Sequence, residues 1–523
     1  MTAASAALRT RDAVDVAAWL ACGAGFTAPG PVERIDTHAA SIFLNGERAW
    51  KLKRPVDLGY LDFSTPEKRR AALDAELRLN RRTAPDQYIA VHPISDDGRG
   101  GFVLDGDWPA RDWVLEMRRF PDNALFSQAL ADGRVDEPAL RGLADALVDF
   151  HRKAAIVDAP SGAERIRAVV EGNATTMARY PDLLSAERVQ PLTHALMALI
   201  DRQALLLNIR RREGKVRHCH GDLHLANIAL IDGRFVPFDC LEFDDDLASC
   251  DVLYDLAFLL MDLCEQGWSD AANLLFNRYL DRSAFDEDAV GLMPLFLAIR
   301  ACVRAHVEAA LARGEGKRSA AAARARRYLS FTEQVMLPPV PRLIAIGGLS
   351  GTGKSTLARA LASQIGAAPG ARILRNDVLR KRLAGMAPEV RLPPSSYTSD
   401  AALAVYREME RLAAAALAAG QSVIADATFM AGEERDRIAA VAGRMKAPFH
   451  GVWLQLDERE RFVRIEARPS DASDADLGVA RVQAKEDVGN LSPWGCLDAG
   501  GDFGTLRAAA MITLNLAPDC QAI

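Results

Sequence analysis

Residues 342–361, RLIAIGGLSGTGKSTLARAL, decide the fold of the C-terminal part of this 523-residue chain. The stretch contains the spacing G-x-x-x-x-G-K-[ST], with an apolar run before it and a helix-forming run after it. Glycines let the backbone turn its N–H groups inward around phosphate, and the helix N-terminus adds a positive dipole. We therefore predict a nucleotide-binding loop that consists of Gly348, Ser350, Gly351, Thr352, Gly353, Lys354, Ser355 and Thr356.

Lys354 and Ser355 carry the chemistry of this loop, because the lysine reaches the outer phosphates and the hydroxyl can bind Mg²⁺. Further apolar runs at 371–377, 422–428 and 449–457 are separated by helical segments. Strands that alternate with helices in this way predict a parallel sheet covered on both faces.

Two acids lie at the ends of these predicted strands. Asp377 is placed to orient or deprotonate an acceptor hydroxyl, with Arg380 one helical turn further on, although an Asp there also suits a helix cap. Asp426 ends another strand, where a carboxylate can hold Mg²⁺ or contact the acceptor. We predict that Asp377 acts in catalysis, that Arg380 contacts the substrate and that Asp426 binds the metal.

The arginine-rich run at 457–477 is the fourth feature of this region. Arg461, Arg464 and Arg468 fall on one face of a predicted helix. Such a face suits a lid that closes over the transferring phosphate, and a solvated charged face is the alternative. We predict catalytic roles for Arg464 and Arg468.

On the phosphate loop, the segments RNDVLRKRL and ADATF, and the arginine-rich run, residues 342–523 resemble the P-loop small-molecule kinases. That group includes gluconate kinase, chloramphenicol phosphotransferase, zeta-type toxins and polynucleotide kinase. The resemblance implies transfer of a phosphoryl group from ATP, with the accepting group near Asp377. It does not define the acceptor.

A second phosphate-handling pattern lies upstream, in HGDLHLAN at 220–227. Transfer from ATP requires an acceptor hydroxyl held in line and a charge neutralised by Mg²⁺. The pattern supplies an acid and an amide five residues apart, and a second acid follows in VPFD. We predict Asp222 as the catalytic base, Asn227 and Asp239 as Mg²⁺ ligands, and His220 as a brace of the loop.

A predicted hairpin supplies the remaining part of this site. Asn45-Gly46 between two alternating runs is a strong hairpin signal, and its second strand places Lys51 and Lys53 on one face. Glu76 lies in the following predicted helix, which begins with Ser-Thr-Pro, at a distance suited to pairing with such a lysine. Counting from the turn favours Lys51 over Lys53.

Two smaller expectations concern the same region. The run VLEMRRF at 114–120 suits a hinge whose backbone would meet adenine. His224 is expected at the surface without a catalytic role, and the acids at 242 and 244–246 are expected in a solvated turn.

At these residues, positions 30–335 resemble the aminoglycoside phosphotransferase family, in a branch fused to a P-loop domain. The resemblance implies a two-lobed, protein-kinase-like fold that uses ATP and Mg²⁺. It departs from the kinase pattern where THAASIFL, at 37–44, replaces a glycine-rich loop. The implied roles are a base at Asp222, Mg²⁺ ligands at Asn227 and Asp239, a phosphate-contacting Lys51 positioned by Glu76, and a bracing Asp255.

Composition narrows the partners. The net charge of −6 and the pI near 5.9 argue against a nucleic-acid partner, because proteins that bind nucleic acid usually carry a surplus of basic residues. The eight cysteines show no zinc-ligand spacing and suit a reducing cytoplasm. The apolar runs are short and carry acids, so we expect no membrane span and no signal peptide.

We expect an α+β kinase-like domain at 1–335, a proline-rich linker at 336–341 and an α/β P-loop domain at 342–523. The first domain divides into a small lobe at about 30–120 and a helical lobe at about 121–335. The sequence leaves the oligomeric state open.

The predicted function is a bifunctional, ATP-dependent phosphotransferase with a small-molecule hydroxyl acceptor, such as a sugar, a nucleoside or an aminoglycoside-like compound. One alternative is a protein-directed or regulatory kinase with a P-loop nucleotide switch. Another is a nucleic-acid end kinase that uses the basic run at 317–327, although that run better suits the outer face of a helix.

Overall fold

The structure, a computed structural model, describes residues 16–26, 30–37, 39–57, 61–99, 101–158, 161–316, 318–467 and 472–516. The chain forms two compact units. Unit 1 comprises Met1–Leu143, Asp149–Asp158 and Gly214–Asp255, and unit 2 comprises Ala144–Val148, Ala159–Glu213 and Leu256–Ile523.

An antiparallel sheet forms the base of unit 1. Its strand order is β1-β2-β3-β6-β4-β5, with six strands among the residues described. A small sheet was predicted in this part of the chain and is confirmed. The strands are β1 Glu33–Asp36, β2 Ala40–Asn45, β3 Arg48–Lys53, β4 Tyr88–Asp96, β5 Phe102–Leu104 and β6 Ala110–Arg118.

The predicted hairpin is present between β2 and β3. Asn45 pairs with Arg48, so the two loop residues are Gly46 and Glu47, one position later than the Asn-Gly signal. Gly46 has a φ of 56°, a value that favours glycine. Alternation along β3 buries Trp50 in an apolar cluster on one face of the sheet, which leaves the lysines of β3 on the other.

A helix at Pro66–Asn80 follows the hairpin, as predicted. The side chain of Thr65 accepts a hydrogen bond from the backbone N–H of Lys68, and proline occupies the first turn, where no N–H is needed. Leu73 of this helix packs with Leu115 of β6 in a buried cluster. This packing holds the helix against the lysine-bearing face of the sheet.

Two short antiparallel pairs complete unit 1. Residues 228–231 and 234–237 form a hairpin whose loop residues, Asp232 and Gly233, both have positive φ, at 50° and 73°. This hairpin sets the separation between the HGD segment and the acid that follows the second strand. The pairs are β7 Val216–His218 with β10 Ser249–Asp251, and β8 Ile228–Ile231 with β9 Arg234–Pro237.

Helices dominate the middle of the chain, as the sequence predicted. The arginines at 324–327, at the end of the basic run, lie on the helix Ala320–Val335, where Arg324 pairs with Glu308 at 2.8 Å and Arg327 pairs with Glu265 at 2.7 Å. The run thus serves ion pairs between helices. The helices are Phe126–Ala131, Glu137–Lys153, Gly162–Met177, Ala186–Arg212, Asp245–Ala248, Val252–Glu265, Ser269–Arg282, Met293–Glu315 and Ala320–Val335, with 3-10 turns at Leu225–Asn227 and Ala284–Leu292.

The predicted parallel sheet is present in unit 2. Its strand order is β12-β13-β11-β14-β15, and every pairing is parallel. The last strand was not predicted. The strands are β11 Leu343–Gly348, β12 Arg372–Arg375, β13 Val423–Asp426, β14 Phe449–Gln455 and β15 Gly495–Asp498.

Helices pack against this sheet. Leu357 and Leu361 of the helix after the phosphate loop are fully buried against Ile344 and Val452 of the sheet. This packing fixes the helix N-terminus at the carboxyl end of β11. The helices are Lys354–Ala362, Asn376–Leu383, Ser399–Ala418, Gly432–Met445, Glu458–Glu466, Leu477–Gln483 and Phe503–Thr513, with a 3-10 turn at Pro394–Ser396.

One stretch among the described residues, Asp286–Gly314, is long and apolar enough to cross a membrane by length and composition alone. An 18-residue window of this stretch has a mean hydropathy of 1.5, and 72% of that window is buried inside the structure. Such burial is what the core helix of a folded domain shows.

Candidate active sites

Lys51 joins three elements of unit 1. Its Nζ lies 2.6 Å from Oε1 of Glu76 on the helix and 2.7 Å from Oδ1 of Asp239, which follows β9. Glu76 is fully buried, whereas the side chain of Asp239 is 40% exposed. The lysine therefore connects a buried acid to one with an open face.

Lys53 points to the same helix from two residues further along β3. Its Nζ lies 2.7 Å from Oε2 of Glu76 and 2.5 Å from Oε1 of Glu242, and its side chain is 3% exposed. The side chain of Glu242 is only 10% exposed and lies in an ion pair, so the expectation of a solvated turn was wrong for this residue. The neighbouring acids Asp245 and Asp246 are exposed, as expected.

The charges in this cluster shift each other's pKa. Burial works to lower the pKa of Lys51, but the carboxylates of Asp239 and Glu76 outweigh it and raise that pKa well above its usual value. Burial likewise works to raise the pKa of Asp239, and the Lys51 ammonium brings it below the usual value instead. The Asp222 carboxylate opposes that shift, so Asp222 and Asp239 share one electrostatic environment.

The segment at 220–227 folds into a compact loop around Asp222. The Asn227 amide donates at 3.0 Å both to the backbone oxygen of Asp222 and to its Oδ2. His224, expected at the surface, is instead buried, with Nε2 3.4 Å from Oδ2 of Asp222 and Nδ1 accepting from the backbone N–H of Ala226. That expectation was wrong because a local turn folds the imidazole back onto the acid.

Asp255 holds the loop from below. Its Oδ1 accepts the backbone N–H of Gly221 at 2.9 Å, and its Oδ2 accepts the N–H of His220 at 3.2 Å. The same oxygen lies 3.1 Å from Nε2 of His151, and Asp255 is fully buried. His220 in turn contacts the carbonyl of Phe238 at 3.0 Å.

The phosphate loop of unit 2 needs its glycines. Gly348, Gly351 and Gly353 have φ values of 140°, 88° and 91°. A Cβ on Gly351 would lie 2.8 Å from the backbone oxygen of Arg461, so the loop packs directly under the helix Glu458–Glu466.

The loop's polar side chains bond to other atoms of the loop and to β13, the neighbouring strand in the sheet. Lys354 begins the helix, and its Nζ donates to the carbonyl of Leu349 at 3.0 Å. The Ser355 hydroxyl donates to Oδ2 of Asp426 at 2.6 Å. The same Oδ2 lies 3.6 Å from Nε of Arg375, which is buried beside it and was not singled out from the sequence.

The remaining predicted members of the loop take different positions. Thr352 is buried and donates to the carbonyl of Leu349 at 2.8 Å, whereas Thr356 is exposed on the helix. The backbone N–H of Ser350 donates to Oε1 of Gln483, at 3.0 Å. Gln483 ends the helix Leu477–Gln483, so this second helix also reaches the loop.

Asp377 lies at the start of the helix that follows β12. Burial raises the pKa of Asp377 above its usual value, although the nearby Arg375 opposes the shift. Arg380 stacks on the ring of Tyr397 at 5.1 Å, and the Tyr397 hydroxyl donates to Oδ2 of Asp474 at 2.5 Å. Burial raises the pKa of the Tyr397 hydroxyl above its usual value and the Asp377 carboxylate contributes to that shift, so these groups lie near Asp377.

The arginine-rich helix differs from its prediction in one respect. Arg461 is only 3% exposed, and its Nε and Nη1 have no hydrogen-bond partner within the described part of the chain. Arg464 donates to the carbonyl of Ala499 at 2.9 Å and approaches Gly353 of the loop. Arg468 lies outside the described residues. A buried guanidinium on the helix that packs against the phosphate loop is the feature that a pattern of charged residues could not reveal.

Two family models match the chain. The family described as "Phosphotransferase enzyme family" matches residues 64–292, and the family described as "AAA domain" matches residues 343–487. A Mycobacterium tuberculosis protein described as uncharacterised is 32% identical over 462 residues, which cover 86% of this chain and 89% of that protein.

Solved structures resemble the two parts separately. A gluconokinase from Sinorhizobium meliloti is 20% identical and covers 34% of this chain and 96% of its own, with a TM-score of 0.25. A choline/ethanolamine kinase family protein from Mesorhizobium loti is 15% identical and covers 62% and 95%, with a TM-score of 0.37.

The two matched segments define an enzyme that transfers phosphate. The chain belongs to the family in which a phosphotransferase domain of the aminoglycoside phosphotransferase type and a P-loop kinase domain occupy one chain, together with its mycobacterial relative. Together the two domains support a kinase that acts on a small molecule.

Proposed function

We propose that both regions bind Mg-ATP and that each transfers the γ-phosphoryl group to a hydroxyl of a small polar metabolite. One observation carries this proposal. Each region has a lysine, an acid that could accept the proton of an acceptor hydroxyl, and oxygen ligands suited to Mg²⁺. Phosphoryl transfer depends on positioning and charge neutralisation, and these are the groups that provide both.

In the first site, Asp222 orients the acceptor hydroxyl and takes its proton, and Lys51 contacts the phosphates of ATP. Asn227 and Asp239 would hold Mg²⁺, which neutralises the charge of the transferring group. The donors fit a hard cation, because they are a carboxylate and an amide oxygen. The contact between Lys51 and Asp239 supports Lys51 over Lys53, since it places this ammonium at the side chain with the open face.

In the second site, the loop from Gly348 to Thr356 surrounds the phosphates, and Lys354 reaches the outermost of them. Ser355 and Asp426 would hold Mg²⁺ there, and their 2.6 Å hydrogen bond places both oxygens at one point. Asp377 orients the acceptor hydroxyl. Arg464 and Arg468 stabilise the charge of the transferring group.

The acceptor of the second site is a compound that presents a hydroxyl to Asp377 and a polar or anionic group to Arg380. The two hydrogen bonds that Arg380 makes to described residues are long, at 3.3 Å each. Its Nε is buried without a hydrogen-bond partner among the residues described. A ligand oxygen would complete this guanidinium.

The test is ADP release by the wild type, Asp222→Ala and Lys354→Ala, with Mg-ATP and a panel of sugars, sugar acids, polyols, nucleosides and aminoglycosides. Each variant should keep its melting transition, because the side chain of Asp222 is 38% exposed and that of Lys354 is partly exposed. An acceptor whose stimulation is lost in one variant only assigns that reaction to one site.

Loss of stimulation in both variants would mean that the two sites are coupled or act in series on one molecule. If no acceptor in the panel stimulates ADP release, the small-metabolite proposal fails. A protein acceptor or a nucleotide switch would then explain the two sites better.

A further inference from the structure

A polar stripe runs along the helix Ser269–Arg282, within the segment matched by the phosphotransferase family model. Asp270, Asn273, Asn277 and Asp281 are spaced three and four residues apart and share one face. The other face is apolar and buried, and consists of Ala271, Ala272, Leu275, Phe276, Tyr279 and Leu280.

The two asparagines of this stripe bind the outer edge of β12, which is the edge strand of the parallel sheet. Asn277 accepts the backbone N–H of Ile373 at 2.7 Å and donates to the carbonyl of Ala371 at 3.1 Å. Asn273 donates to the same carbonyl and to that of Pro369, both at 3.0 Å. Their amides take the place of a neighbouring strand on an edge that would otherwise be unpaired.

A buried ion-pair cluster lies next to these bonds. Arg372 of β12 is 1% exposed, and its Nε and Nη2 bind the two carboxylate oxygens of Glu287 at 2.7 and 3.0 Å. Its Nη2 also lies 2.8 Å from Asp281. The Arg372 guanidinium and the Arg382 guanidinium bring the pKa of Glu287 below its usual value, against the effect of burial.

Glu287 binds a second arginine from the same region. Oε2 of Glu287 accepts from Nη1 of Arg382 at 2.9 Å, and Nη2 of Arg382 donates to the carbonyl of Ala284 at 2.8 Å. Arg382 lies in the last turn of the helix Asn376–Leu383, which begins directly after β12 and carries Asp377 and Arg380 in its first turns. One carboxylate thus holds both the strand before this helix and the end of the helix.

We propose that Glu287 is a positioning residue for the acceptor side of the P-loop kinase, acting through Arg372 and Arg382 on the helix that carries Asp377. This inference rests on the proposed function of that helix. The nucleotide-side groups Lys354 and Ser355 have other partners, Leu349 and Asp426. The phosphotransferase segment therefore supplies part of the fixed frame of the second active site.

Four full-length variants test the proposal: Arg382→Met, Glu287→Gln, their combination, and the control Arg188→Met. Arg382→Met should disturb the fold less than Glu287→Gln. The Arg382 side chain is 15% exposed, and Glu287 keeps its ion pair with Arg372 when Arg382 is replaced. Arg188 makes a comparable two-point contact with Glu333 at 2.7 Å elsewhere in unit 2.

The first readout is hydrogen–deuterium exchange. We expect Arg382→Met and Glu287→Gln each to speed exchange in Asn376–Leu383 about tenfold, with Lys354–Ala362 unchanged. Because both substitutions disrupt the same contact between Glu287 and Arg382, the double variant should exceed the larger single effect by less than about twofold. Unchanged exchange in Asn376–Leu383, equal acceleration in Lys354–Ala362, or the same result for Arg188→Met would overturn the proposal.

The second readout is ATP hydrolysis with water as the acceptor, taken as the part of the rate that Lys354→Ala removes. A lost positioning contact should lower kcat about tenfold and leave KM for Mg-ATP within about twofold. A rise in KM with kcat unchanged would contradict positioning on the acceptor side. If the wild type shows no Lys354-dependent rate with water or with any acceptor of the panel, the proposed kinase activity of this site fails, and the exchange measurement alone decides whether Glu287 anchors the helix.

Discussion

The hydroxyl of Ser355 and the carboxylate of Asp426 are joined by a 2.6 Å hydrogen bond between the phosphate-loop helix and the neighbouring strand. Asp426 is 4% exposed, and the parallel pairing of β11 with β13 brings it alongside the loop. Two oxygens of the kind that Mg²⁺ prefers are thus brought together by the sheet before any nucleotide arrives.

Ser355→Ala should lower the affinity of the second site for Mg²⁺. The change removes one proposed ligand and the hydrogen bond that orients the other. We expect the Mg²⁺ concentration for half-maximal Lys354-dependent turnover to rise about 10–100-fold. Magnesium titration of ADP release measures this. Thr175→Ala, at an exposed position of the helix Gly162–Met177, is the control and should leave the titration unchanged.

Substituting the two lysines of β3 separates stability from activity. Lys53→Met leaves Glu76 and Glu242 without their shared cation, and breaking a buried ion pair costs about 3–5 kcal/mol. Lys51→Met leaves Glu76 still paired with Lys53, so its cost in folding free energy should be smaller. Lys51→Met should nevertheless lower Asp222-dependent turnover more than Lys53→Met does.

Urea unfolding and ADP release, measured on both lysine variants, provide the comparison. Equal losses of activity with equal losses of stability would contradict the assignment of Lys51 to phosphate. A larger activity loss for Lys53→Met at retained stability would move that role to Lys53.

Asp377→Asn should stabilise the protein at neutral pH. The pKa of Asp377 is raised in the folded state, mainly by burial, so the folded protein binds this proton more readily than the unfolded chain does. The stability that follows is complete below the unfolded pKa and is lost as the pH rises through the folded pKa. At neutral pH the ionised carboxylate therefore lowers stability, and asparagine removes that cost.

Thermal melting across the pH range tests this. The Tm of Asp377→Asn should exceed that of the wild type at neutral pH, and the difference should shrink below about pH 4. The exposed Asp436→Asn is the control. A variant that is less stable than the wild type at neutral pH would show that Asp377 serves as a structural acid. Turnover at the second site should be lost in Asp377→Asn in either case.

Local patterns predicted much of this molecule. The phosphate loop, the hairpin that carries Lys51 and the helix with its Thr65 cap each depend on a few neighbouring residues, so their signals are contained in short stretches. The expected parallel sheet followed from repeated alternation. In contrast, β15 has only the four residues GCLD and no apolar run, and its pairing with β14 was not predictable from so short a segment.

Side-chain burial was the part that the sequence did not reveal. His224 and Arg461 are polar residues in charged or polar runs, and both are buried because the chain folds back over them. Arg372 and Glu287 are far apart in sequence, and no local period connects them. Partners of this kind are set by tertiary packing, which short-range patterns do not encode.

Asp255→Asn should loosen the loop that carries Asp222. An amide in place of the carboxylate turns an N–H toward groups that already donate, namely the backbone N–H of Gly221 or that of His220. The fully buried site cannot relieve this with water, and we expect a loss of about 3–5 kcal/mol in folding free energy. His151→Gln keeps an N–H donor that can reach Asp255 and leaves both backbone bonds intact, so its loss should be smaller.

The contacts of Asp255 also determine whether the cluster of Asp255, His151 and Cys219 binds a metal. Asp255, His151 and Cys219 offer ligand atoms within 4.8 Å of one another, a spacing that could hold an ion. However, the Asp255 oxygens already accept hydrogen bonds, and burial raises the pKa of Cys219 well above its usual value, which disfavours the thiolate that a metal requires. We therefore expect that dialysis against a chelator leaves the Tm of the nucleotide-free protein unchanged, whereas Asp255→Asn lowers it. A Tm that falls on chelation and recovers with added Zn²⁺ would show that the cluster is a metal site and that Asp255 braces the loop through the ion.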